Sequence, residues 1–194
     1  PRLGFVTVTD VRLTGDGREL VDATAPHGFG QYLYERFDQD SVMAFHAAYI
    51  KIKSDWAMCE FAKPNMPSSA EVPYRAASPD NFTARYEHTP IAVRAILEAK
   101  AGSAVPCGVT TTITLYNELP YVDLEVTLQD KPADPWPEAG WICLPYKVDS
   151  PKFQLARLGS IIDPYKDTIA GTNHYLYGLN GGVAIVDPKG FDVG

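Results

Sequence analysis

The stretch that most constrains this chain is 109–128, VTTTITLYNELPYVDLEVTL. In its first half Val109, Thr111, Ile113 and Leu115 point one way, and Thr110, Thr112, Thr114 and Tyr116 the other. In its second half Val122, Leu124, Val126 and Leu128 share a face opposite Tyr121, Asp123, Glu125 and Thr127. Strict alternation over this length is the period of a strand with one face buried and one face wet. A helix would leave both sets partly in water. Asn117-Glu118-Leu119-Pro120 is the connecting turn, and Pro120, which has no N–H to donate, must lie outside the paired region.

The same texture recurs along the chain. Strands are expected over 4–13, 18–22 and 31–37, the first two joined by the Thr14-Gly15-Asp16-Gly17 turn, with Tyr32 and Tyr34 on one face of the third. Further strands are expected over 81–86, 91–100, 141–148, 153–158, 175–179 and 183–186. Asn180-Gly181-Gly182 reads as a hairpin turn between the last two. The pattern breaks once: after an Asp40-Ser41 N-cap, Val42, Phe45, Tyr49 and Ile50 fall at helical spacing, predicting a short helix to residue 50. An apolar patch at 56–61 follows. Residues 63–79, with four prolines, then read as an irregular excursion, as do 130–137 and the loop 162–172. The expected fold is all-β with one minor helix: roughly ten or more antiparallel strands in two packed sheets. We expect one domain over 1–194, interrupted by a helical and irregular insertion near 40–80.

With 194 residues the chain can bury a substantial core. Its net charge of −7 argues against a nucleic-acid partner, which needs a basic face. No run is long enough to span a bilayer as a helix. The chain opens at Pro1 without an initiator Met and stops at Gly194 after an apolar run. The expectation is therefore an excised piece or processed product, whose compartment is not legible. Cys59, Cys107 and Cys143 are odd in number and far apart, which fits small buried apolar residues better than a disulfide framework. A single Cys107–Cys143 bridge is the alternative.

Chemistry is less legible than fold. No phosphate-binding glycine loop and no G-x-S-x-G elbow is present. His27, His46, His88 and His174 stand apart from one another at no metal-ligand spacing, so no metal is expected in this piece. Asn81-Phe82-Thr83 matches a glycosylation sequon and is read as unused. Glu138, Asp163 and Asp167 are the candidate carboxylates, because they fall in loops between late strands; turn chemistry is the competing explanation. Trp136, Trp141, Tyr146, Tyr165, Tyr175 and Tyr177 supply flat rings on which a sugar could stack, or core. On 141–148, Trp141 alternates away from Ile142, Leu144, Tyr146 and Val148, so one side reads as core and the other presents Trp141. The carbohydrate-binding candidates are Trp141, Tyr146, Glu138, Asp163, His174 and Tyr175.

The run Tyr116-Asn117-Glu118-Leu119-Pro120-Tyr121-Val122-Asp123-Leu124-Glu125 resembles the hairpin in the C-terminal β-sandwich of glycoside hydrolase family 38, the α-mannosidases. Gly17–Asp22, Gly30–Glu35 and Trp136–Trp141 are similar to flanking segments in the same order. Asn173-His174-Tyr175 with Asn180–Ile185 resembles the stretch that closes the first part of that sandwich. The similarity is to a little-characterised branch of family-38-like bacterial and fungal proteins. The excursion at 63–79 and the helix at 41–50 depart from the better-known members. The resemblance implies a galactose-mutarotase-like supersandwich packed on an upstream catalytic domain. That domain would hold the nucleophilic Asp and a zinc ion, so no catalytic or metal residue carries over to this chain. Three functions follow as expectations. They are an accessory domain of a retaining α-glycosidase, inactive alone; a stand-alone carbohydrate-binding module; and a mutarotase-like epimerase using Glu138 and His174.

Overall fold

The computed structural model describes residues 8, 11–12, 17–49, 65–172, 174, 176–189 and 192–193. The expectations for 4–7, 9–10, 13–16, 50, 56–61, 63–64, Asn173 and Tyr175 lie outside these residues. The chain groups into two compact units, one of Pro1–Val8 with Ala25–Leu144, the other of Thr9–Thr24 with Pro145–Gly194.

The first unit contains β1 (Gln31–Arg36), α1 (Gln39–Tyr49), β2 (Arg75–Ala77), β3 (Thr83–His88), β4 (Ala92–Ala99), β5 (Gly108–Tyr116), β6 (Val122–Gln129) and β7 (Glu138–Cys143). Its strands make two antiparallel sheets, in the orders β3-β4-β5-β6 and β2-β1-β7. β5 and β6 pair in the register their alternation demands: Val109 faces Leu128, Thr111 faces Val126, and Ile113 faces Leu124. Period-2 geometry therefore puts the aliphatic residues of both strands on one side. Tyr32 and Tyr34 of the smaller sheet pack with Val109, Cys107 and Val105, with Val126 against them, and make the interior of a two-layer sandwich. Fully burying an aliphatic side chain such as Val109 contributes roughly 1.5–3 kcal/mol. Gly30, at φ +72°, leads into β1 over this interior, where a Cβ would stand 3.0 Å from Leu124 Cδ1 and 3.4 Å from Ile113 Cδ1.

The opposite face of the larger sheet is wet. Arg85, Glu87, Arg94, Asp123 and Glu125 line a shallow groove there, with Thr112 and Thr114 on its floor. The turn after β5 is tied down by Asn117, whose N–H donates to Ile91 O at 2.9 Å and whose side chain donates to Pro90 O at 2.9 Å.

The second unit contains β8 (Lys152–Arg157), β9 (Ser160–Ile162), β10 (Val183–Val186) and β11 (Asp192–Val193), an antiparallel sheet in the order β11-β10-β8-β9. Residues 18–22 form isolated bridges, Arg12 with Glu19 and Val21 with Tyr146, in place of a returning strand. Eleven strands and one helix among the described residues make the chain all-β with a minor helix.

Several elements differ from the sequence reading for local reasons. The helix starts earlier, and its cap is Asp38, not Asp40-Ser41: Asp38 Oδ1 accepts the Ser41 N–H at 2.8 Å, closing the first turn. Inside the proline-rich excursion, β2 pairs with Tyr34–Arg36, because the three residues between Tyr74 and Ser78 are free of proline. β7 begins at Glu138 and ends at Cys143, since Pro145 brings no N–H to the ladder. Ile142 and Leu144 are consequently exposed, not core, because β7 is the outer strand of its sheet. Residues 176–179 form no strand. Asn180-Gly181-Gly182 instead docks on β8, with the Ala156 N–H donating to Gly182 O and the Leu158 N–H to Asn180 Oδ1. Cys107 and Cys143 are free thiols.

Candidate functional site

In the first unit, alternation along β1 and β7 brings Tyr32, Tyr34, Glu138, Gly140 and Ile142 to one face. Gly140 lies across from Tyr34, and its missing side chain leaves room for the Tyr32 ring; a Cβ there would meet Tyr32 Oη at 2.7 Å. Tyr34 donates its hydroxyl to Glu138 Oε2 at 2.8 Å, and Lys131 Nζ donates to Glu138 Oε1 at 2.6 Å. The Lys131 ammonium also stands 5.9 Å from the centre of the Tyr34 ring. With Val126, Leu128, Ala139 and Ile142, these groups line an open recess of about 470 Å³. Beside it, Arg36 pairs with Asp134 at 2.9 Å.

Burial, reinforced by the bond to Glu138, raises the Tyr34 phenol well above its ordinary range, and burial also raises the Cys107 thiol. Glu138 is therefore the first residue of a strand, not a loop carboxylate. It is a fixed acceptor held by a phenol and an ammonium. It is also the one carboxylate among the residues lining the recess, whereas glycoside hydrolysis uses two across the scissile bond.

On the other face of the same sheet, Trp141 Nε1 donates to Glu35 Oε2 at 2.8 Å, and the Tyr74 hydroxyl donates to Glu35 Oε1 at 2.8 Å. Trp136, by contrast, is core: it is buried, with its Nε1–H on Phe37 O at 2.7 Å.

The second unit gathers another set. Asp163 accepts the Tyr165 N–H at 2.9 Å and pairs with Lys166 at 3.2 Å, while Asp167 Oδ2 accepts the Asp163 N–H at 2.8 Å. These are turn-forming bonds, and the Tyr165 N–H is the main reason the Asp163 carboxyl is held below its ordinary range. Tyr165 stacks on His174 at 6.2 Å, and His174 Nδ1 lies 2.5 Å from Tyr177 Oη. Tyr146 is half-buried, and burial raises its phenol above the ordinary range. Glu138 and Trp141 thus belong to the first unit, and Tyr146, Asp163 and His174 to the second.

Sequence reasoning missed Glu35, Tyr74, Tyr34 and Lys131. Only Lys131, seven positions from Glu138, was near enough in the chain to suggest itself; Tyr34 is 104 positions away from Glu138 and Glu35 is 106 from Trp141.

Among the described residues, no group of three or more His, Cys, Asp or Glu is placed to hold a metal ion. No described helix is long and apolar enough to cross a membrane. No family model, curated protein or solved structure matches this chain.

Proposed function

We propose that this chain is the accessory β-sandwich of a family-38-like, α-mannosidase-like retaining glycosidase, packing on a catalytic domain upstream in the same parent chain. The reacting Asp and the zinc would belong to that domain. The observation that carries the reading is the uncovered apolar lining of the recess. Leu128 and Ile142, on β6 and β7, both line it and are 40% and 49% exposed. Exposed apolar side chains grouped in this way are what a docked neighbour covers. The recess supports the same reading, since its single carboxylate is already engaged by Tyr34 and Lys131.

The test compares the isolated chain with the full product of its gene on 4-nitrophenyl α-mannoside. The isolated chain should be inert, and the full product should be active and sensitive to a zinc chelator. Hydrolysis by the isolated chain that disappears in Glu138→Gln would overturn the reading, as would an upstream sequence without a catalytic barrel.

A further inference from the structure

β1 and β7 turn Glu35 and Trp141 away from the sandwich interior, and Tyr74, just before β2, reaches the same carboxylate. Trp141 is 40% exposed and Tyr74 51%. Open rings of this size are costly in water, and such rings are ordinarily turned inward. Here their polar ends are fixed on Glu35 while the rings remain open. Two aromatic side chains anchored by one carboxylate lose little further freedom on binding a ligand.

The chemistry of the patch narrows what it would take. A carboxylate has about four acceptor positions, and the two donors occupy one on each oxygen, so Glu35 can accept further hydroxyl groups. The rings offer flat apolar surface beside it. Sugars carry both complements: a C–H face for the ring and hydroxyl donors for the carboxylate. The negative charge disfavours an anionic ligand. A cation would also meet a carboxylate and open ring faces here, so choline enters the titration as the competing ligand.

We propose that Glu35, Tyr74 and Trp141 form a binding site for a neutral saccharide, with the two rings as stacking surface and Glu35 accepting from sugar hydroxyls. This goes beyond the accessory-domain reading and does not depend on it.

The test is calorimetric titration of the intact chain with soluble oligosaccharides of mannose, glucose, galactose, xylose and N-acetylglucosamine, and with choline. At least one saccharide should bind at millimolar concentration or below. Trp141→Ala should weaken that binding about tenfold or more, as removal of an anchoring aromatic does. Glu35→Gln and Tyr74→Phe, which keep the shape of the side chains, should weaken it while leaving the melting temperature near that of the parent. Tyr165→Ala, in the second unit, should leave affinity unchanged. No heat with any saccharide overturns the site, as does affinity unaltered by Glu35→Gln and Trp141→Ala, or choline binding tighter than every sugar. Failure here leaves the accessory-domain reading standing, and α-mannoside hydrolysis by the isolated chain would sink that reading without touching this site.

Discussion

A methyl group added at Gly30 would crowd the side chains around it. The residue sits at φ +72°, and the new carbon would lie against Leu124 and Ile113 inside the sandwich. Left-handed strain and overpacking together should make Gly30→Ala destabilising by about 2–4 kcal/mol. Gly17 is a control, since it has φ +70° but, among the described residues, nothing within 4 Å of its added carbon. Gly17→Ala should carry the strain alone, about 1–2 kcal/mol, and urea midpoints of the two variants separate the contributions. Tyr34 makes a second prediction. Its phenol is raised above the ordinary 10.0, so the folded state keeps a proton that the unfolded chain releases. The stability this supplies is intact below pH about 10 and declines as the pH climbs beyond it. Tyr34→Phe should cost about 1.5–3 kcal/mol at neutral pH, because Glu138 loses a donor, and should flatten the alkaline decline. Tyr32 and Tyr146 are raised in the same direction, so part of the decline should remain when unfolding is followed between pH about 9 and 11.

Elements were legible in proportion to how local their causes are. The β5–β6 hairpin could be written down residue by residue, because alternation fixes which side each residue faces and Pro120 marks the end of pairing. The helix was legible in place but not at its start. Asp38 and Asp40 are equally good caps by composition, and only the backbone path decides between them. β2 was hidden because its pairing with β1 depends on tertiary contact, and three residues carry no period. The same limit governed the candidate sites. Glu138 drew notice as a carboxylate expected in a loop between late strands, but its partner Tyr34 and the Glu35–Trp141 contact exist only through strand pairing. The Asp38 cap has a measurable consequence. Its hydrogen bonds from Ser41 hold the carboxyl below its ordinary 3.8. The stabilisation is therefore present above about 3.8 and lost as the pH falls through the lowered folded value. Asp38→Ala should reduce the melting temperature more than Asp40→Ala. Asp38→Asn, still a good cap, should hold the neutral-pH melting temperature while removing part of the acid dependence.

At the level of the whole chain, the second unit is built from two distant segments. Asp22 N–H donates to Pro145 O at 2.8 Å, and Lys147 N–H donates to Leu20 O at 2.8 Å, so residues 9–24 belong with residues after 144. Removing the first 24 residues should speed amide exchange at Lys147 and loosen β8–β10, while β4 and β5 keep their protection. Uniform loss of protection across β4 and β5 would contradict this division.

Cys107 has no exposed surface, and burial weakens its acidity. An alkylating reagent needs both access and a thiolate, so it can modify this sulfur only after the two layers have parted. The rate at which the adduct accumulates on the Cys107-containing peptide is then an internal stopwatch for how often the sandwich comes apart.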